Sequence, residues 1–212
     1  GGSNKILHQI VSLVGHEIHS VDDIYLNDNT VQLSNGSVTS ALWDNKIKLY
    51  VHDGTQTSAT DTFANSTETL ATTLHAETSV DSSFIGKGIA YIYCRFEYDS
   101  TIFSNGVPMV TAVIKGKKVV TTVNGVAQTP TWTDNAAWVI RDFITSEYGL
   151  EDSSVDYATF EEAASISDDT TILSDNSKQY TINGVVQASQ TFGNVLQEMM
   201  TALGGTLFWG AG

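Results

Sequence analysis

The first half of the chain alternates apolar and polar residues with a period of two, and the second half shifts to a helical period. Leu7, Ile10, Leu13 and Val14, then Ile18, Val21, Ile24 and Leu26, form two runs divided by Gly15 and read as a pair of strands. Asn27-Asp28-Asn29 turns into a short run at Val31-Leu33, and Asn35-Gly36 is a hairpin signal because both residues accept positive φ at low cost. Lys46 to His52 alternates cleanly and predicts a half-buried strand ending at Asp53-Gly54. From Gly54 to Ser83, 14 of 30 residues are Ser or Thr, which predicts a mobile loop holding one short helix that turns Phe63, Leu70 and Leu74 inward.

The stretch from Gly88 to Lys118 predicts two long buried strands joined by a turn at Ser104-Asn105-Gly106. Along the first of them Ile89, Tyr91, Tyr93, Arg95 and Glu97 share one face, while Ala90, Ile92, Cys94, Phe96 and Tyr98 share the other. Val119-Val123, Asn124-Gly125 and Val126-Gln128 give the most specific hairpin signal in the sequence. The period then becomes helical. Asp134 is the expected N-cap of a helix over 135–148, with Ala136, Val139, Ile140, Phe143 and Ile144 as its stripe and Gly149 ending it. Asp156 caps a second helix over 157–167. Asn183-Gly184 predicts a hairpin between 180–182 and 185–186. Thr191 caps a third helix through Phe192, Val195, Leu196, Met199 and Leu203, stopped by Gly204-Gly205. Thr206 to Trp209 begins a last strand, and an apolar strand at the end of a chain with no initiating Met implies that the natural protein continues. The fold class expected is α+β. A β-rich, barrel- or sandwich-like part spans 1–130, and a mixed part with about three helices and hairpins spans 131–212.

The formal charge of -14 argues against a general nucleic-acid-binding surface, which needs clustered Lys and Arg. No apolar run approaches the roughly 18 residues of a membrane span, and His8 and Gln9 break what would be the centre of a signal peptide. Cys94 stands alone and mid-strand, which predicts a small core residue rather than a nucleophile. His16-Glu17-Ile18-His19 is one residue short of a zinc-protease pair and reads as solvent-facing strand. The acidic pairs Asp22-Asp23, Glu161-Glu162 and Asp168-Asp169 read as solvated faces. Trp43, Trp132, Trp138 and Trp209 are too widely spaced for a carbohydrate platform and read as separate core or interface anchors. No catalytic motif, metal site or cofactor is expected from these residues.

Residues 88–119, GIAYIYCRFEYDSTIFSNGVPMVTAVIKGKKV, resemble the corresponding run in the central tail hub proteins of long-tailed bacteriophages, the lambda-type tail tip or host-specificity protein J family. The resemblance continues at Ala136-Ala137-Trp138-Val139-Ile140-Arg141-Asp142-Phe143 and on to Leu150, at Tyr180 to Val186, and at the third helix running into Gly205-Thr206-Leu207. It is weaker over Leu7 to Asp53. Family members usually carry a proline where this chain has Ala136, and they run on into further hub and receptor-facing domains. The resemblance implies a structural virion protein at the phage tail tip, made in the bacterial cytoplasm. It implies a homotrimer that meets the distal tail, tail tube and tape-measure proteins and lets DNA pass without binding it specifically. An acidic wall suits a channel that must not grip phosphate. Arg95, Glu97, Lys115, Lys117 and Lys118 are then the candidate subunit contacts. The alternatives from other classes are a carbohydrate-binding or adhesin-like β-domain that uses the 54–83 loop, and a hydrolase that uses Cys94 or the acidic pairs.

Overall fold

A computed structural model describes residues 5–208 and 210. The chain is an α+β protein whose strands concentrate in its first part. Two compact units divide it, 1–117 and 118–212. The division precedes the expected boundary after residue 130 because the 119–131 hairpin packs within the second unit: Glu161 accepts a 2.9 Å hydrogen bond from the Gly125 N–H.

In the first unit, β1 (Ile6–Val14), β2 (Ser20–Leu26), β3 (Asn29–Thr30), β4 (Leu33–Ser34), β5 (Ser37–Val38), β6 (Ile47–His52), β7 (Ala90–Glu97) and β8 (Val110–Lys115) form two antiparallel sheets. The larger has the order β1-β7-β6-β5-β4 and the smaller β3-β2-β8. The two expected strands of 88–118 therefore do not pair with each other. β7 lies between β1 and β6, with Val11 and Val51 both opposite Ile92, while β8 pairs with β2 in the other sheet. β8 is also half exposed rather than buried. The Asn35-Gly36 turn forms as expected, with φ of 48° and 79°, and pairs Leu33 with Val38.

Ile24 and Leu26 from the smaller sheet and Leu49, Val51, Ile92, Cys94 and Phe96 from the larger enclose one apolar cluster, closed by Trp43 and Phe103. The opposite face of the larger sheet is buried too. Tyr50, Tyr91 and Tyr93 point there and are covered by Phe63, Leu70 and Leu74, with Phe84 and Ile85 beside them. The Ser/Thr-rich stretch is thus a packed cover and not an open loop. Phe63, Leu70 and Leu74 turn inward as the pattern predicts, although the one helical turn is only α1 (Leu74–Glu77). Hydroxyls and carboxylates tie the rest of the cover to itself. Asp61 accepts from the N–H groups of Thr57 and Ser58, and the Asn65 side chain bonds Val51 N–H and Leu49 C=O across the sheet edge. Polar residues satisfy their own backbone here, so the cover needs few apolar anchors.

The second unit contains the hairpin β9 (Thr122–Val123) and β10 (Val126–Ala127), and the helices α2 (Ala136–Asp142), α3 (Tyr157–Ser167) and α4 (Phe192–Leu203). Asn124 and Gly125 take positive φ in the two-residue turn. Asn135, not Asp134, caps α2, its side chain accepting from the Ala137 and Trp138 N–H groups. Asp134 instead pairs with Lys178 at 2.7 Å. The expected helix to 148 loosens after Asp142 into a π-turn over Phe143–Glu147, where Thr145 and Ser146 hydroxyls bond the carbonyls of Arg141 and Asp142. Asp156 and Thr191 cap α3 and α4 as read from the sequence. Phe192 stacks on Phe143 and on Tyr148, with ring centres 4.8 and 4.5 Å apart. The hairpin expected at Asn183-Gly184 is absent from the described residues. Gly184 does not take positive φ, and the chain before it is held elsewhere: Tyr180 N–H donates to the Ser167 carbonyl and Ile182 N–H to the Asp134 carbonyl. Residues 206–208 are not a strand, and Trp209 lies outside the described residues.

Candidate functional site

The five charged residues expected at a subunit contact fall in separate places. Arg95 and Glu97 share one face of β7, and each is engaged inside the fold. Arg95 Nε donates to Glu77 Oε2 on α1 at 2.7 Å, and Glu97 pairs with Lys46 at 3.0 Å. Lys46 holds the Glu97 carboxyl below its usual range by hydrogen bond and charge. Lys115 ends β8 and pairs with Asp22 at 3.3 Å. Lys117 closes the first unit and Lys118 opens the second, both half-buried.

Around Arg95 the sheet carries a polar network that the sequence did not single out. His8 on β1 lies opposite Arg95 in register, and its Nδ1 shares a 2.7 Å hydrogen bond with the Tyr93 hydroxyl. Its Nε2 faces Glu77 Oε2 at 3.7 Å. Burial lowers the His8 pKa, with the Glu77 charge opposing and the Arg95 charge adding to the shift. Glu77 therefore fastens the cover to both β1 and β7. On the next strand His52 is buried, stacked on Tyr91 with ring centres 4.2 Å apart. His52 Nδ1 donates to the Ile89 carbonyl at 3.0 Å, and Nε2 is buried without a partner. That arrangement fits only the neutral ring.

Of the residues considered for chemistry, Cys94 alone is buried. Cys94 is fully buried between the sheets, and burial pushes its thiol up to about 12, away from nucleophilic use. His16 and His19 are exposed, but they sit in the bend between β1 and β2 and not on a strand. In the acidic pairs Asp22 bonds Ser20 and Lys115, Glu161 accepts from Gly125, Asp168 pairs with Lys178 and Asp169 accepts from Thr171. Among the described residues no group of three or more His, Cys, Asp or Glu side chains could hold a metal ion, and no helix is long and apolar enough to cross a membrane.

β1 is the longest strand among the described residues, and five of its nine positions are exposed. It is a nine-residue edge strand, and among the described residues nothing pairs with its outer side. Ile6, Leu7 and Ile10 are 36, 44 and 38% exposed. Beside them Leu7, Phe96, Tyr98, Phe103 and Val107 line an apolar hollow of about 90 Å³. A long apolar edge with unpaired backbone groups is a template for a strand from another chain. The signal was present in the alternation of ILHQIVSLV, but which edge stays open depends on pairing with β7, far along the chain.

No family model matches the chain, and no curated protein matches it either.

Proposed function

We propose that the chain is a structural part of a phage tail hub, acting as a homotrimer at the end of the tail tube and not as an enzyme. The observation that carries this reading is the open β1 edge with Ile6, Leu7 and Ile10 exposed along it. A subunit of a ring needs a surface that is stable alone yet completed by its neighbour, and a sheet edge supplies directional hydrogen bonds together with apolar contact. The four segments that resemble tail hub proteins supply the identity of the ring. The net charge of -14 supports the channel role, because an acidic wall repels a passing phosphate backbone.

Arg95 serves this assembly through the fold, its pair with Glu77 holding the cover against the sheet whose edge is offered, while Glu97 pairs with Lys46 just before β6 and ties β6 to β7. Lys115, Lys117 and Lys118 remain contact candidates. The test is sedimentation equilibrium of the chain with and without Ile10→Lys. The wild type is expected at three times the 22.9 kDa chain mass and the variant at the single-chain mass. A folded wild-type chain that stays monomeric at high concentration overturns the proposal.

A further inference from the structure

Four Asn-Gly pairs occur in the chain, at 35–36, 105–106, 124–125 and 183–184. Such a pair can modify itself, because the glycine nitrogen can attack the asparagine side-chain carbonyl carbon, and a residue without a Cβ leaves that approach open. The fold holds three of the pairs away from it. Asn35 Oδ1 accepts from the Ser66 hydroxyl at 2.8 Å and from the Thr67 N–H at 2.7 Å. Gly36 lies against the Tyr50 ring, where even a Cβ would come within 2.5 Å of it. Gly125 N–H is spent on Glu161 Oε1 at 2.9 Å, in a turn where Asn124 and Gly125 both take positive φ. Gly106 N–H donates to the Phe103 carbonyl at 2.9 Å.

Asn183 and Gly184 make no such turn, since neither takes positive φ, and both are exposed. Among the described residues no hydrogen bond holds the Asn183 side chain or the Gly184 N–H. A Cβ on Gly184 would meet nothing within 4 Å, so space around the nitrogen is open. The chain is fastened on either side, by Ile182 N–H on the Asp134 carbonyl and by the mutual bonds of Gln187 and Gln190, and 183–186 runs unheld between them.

We propose that Asn183 is a site of spontaneous deamidation, converted in place to aspartate and isoaspartate. Gly184 N gives up its proton to hydroxide and bonds to Asn183 Cγ. The Cγ–Nδ2 bond breaks, ammonia leaves, and a five-membered succinimide closes. Water then opens the ring at either carbonyl. One opening gives aspartate, and the other reroutes the main chain through Cγ as isoaspartate. The sum exchanges one ammonia for one water, with no oxidant, reductant or partner protein. Each event places a carboxylate beside the exposed Val185 and Val186.

The test incubates the whole folded chain at neutral pH and samples it over time. Trypsin puts each pair in its own peptide, 6–46, 96–115, 119–141 and 179–212. Tandem mass spectrometry reads the ammonia-for-water exchange at each asparagine, and a protein-isoaspartate methyltransferase reads the isoaspartate. Asn183 is expected to react at least about tenfold faster than Asn35 and Asn124, an added barrier of about 1.4 kcal/mol at the held pairs, with Asn105 between. In guanidinium chloride the four rates are expected to draw together, because the contacts that separate them are gone. Gly184→Ala suits the backbone and the open space there, and its Cβ crowds the attacking nitrogen. It is expected to slow reaction at Asn183 about tenfold and to leave the other three rates unchanged. Reaction at Asn183 no faster than at Asn35 and Asn124 in the folded chain overturns the proposal. So does the same order of rates in guanidinium chloride, or an unchanged rate in Gly184→Ala.

Discussion

His52 makes the stability of the first unit depend on pH in a calculable way. In the folded chain its Nδ1–H is spent on Ile89, and its bare Nε2 is buried against apolar surroundings. Burial is the main cause of its lowered pKa, opposed by the Ile89 bond and the Asp53 charge. Unfolding releases the ring to its ordinary value of about 6.5, so between the two values the unfolded chain binds the extra proton. The stabilising contribution is complete above about pH 6.5 and is lost as pH falls through the folded value. One proton of difference gives a slope of about 1.4 kcal/mol per pH unit. His8, also lowered chiefly by burial, adds to the same slope in the wild type. His52→Phe keeps an aromatic ring for Tyr91 to stack on and removes the titration. Urea unfolding followed through the Trp43 indole resonance from pH 7.5 to 5.5 reads the first unit alone, because Trp43 belongs to its core. The variant is expected to lose up to about 1.4 kcal/mol per pH unit of the wild-type acid sensitivity, even if it is less stable at pH 7.5. An unchanged slope in the variant, or a wild type that gains stability on acidification, refutes the neutral buried ring.

Two further substitutions test how the units are built. Leu70→Ala removes a buried anchor of the Ser/Thr-rich cover and is expected to cost about 2–5 kcal/mol in urea unfolding of the first unit; a cost below about 0.5 kcal/mol would mean the cover is not docked. Asn135→Ala should cost about 1 kcal/mol and Asp134→Ala less, as read by thermal unfolding of the second unit, and the reverse order would return the cap of α2 to Asp134.

What the sequence revealed was local. Asn35-Gly36 and Asn124-Gly125 formed their turns, and Asp156 and Thr191 capped their helices, because each signal acts over a few neighbouring residues. Asn183-Gly184 carries the same signal and failed because Asp134 and Ser167 capture the chain before it, a contact with helix ends that no short-range rule sees. In the Ser/Thr-rich stretch the inward turn of Phe63, Leu70 and Leu74 was legible, but not that they dock on Tyr50, Tyr91 and Tyr93 and make the whole stretch a cover. The strands of 88–118 were placed correctly as strands and wrongly as partners, since pairing with β1, β6 and β2 is decided by distant chain. Nor does the sequence show that Arg95 and Glu97 pair with Glu77 and Lys46, partners set by the assembled sheet and cover. The open edge of β1 exists only once the elements are assembled.

The most direct measurement of the central claim is cryo-electron microscopy of the phage particle proposed to carry this chain, with mass spectrometry of the same preparation. The account predicts three copies of the two-sheet unit around the tail axis at the end of the tube, with each β1 edge covered by a neighbouring chain. A particle lacking the chain, or holding it with β1 bare and facing solvent, would contradict it.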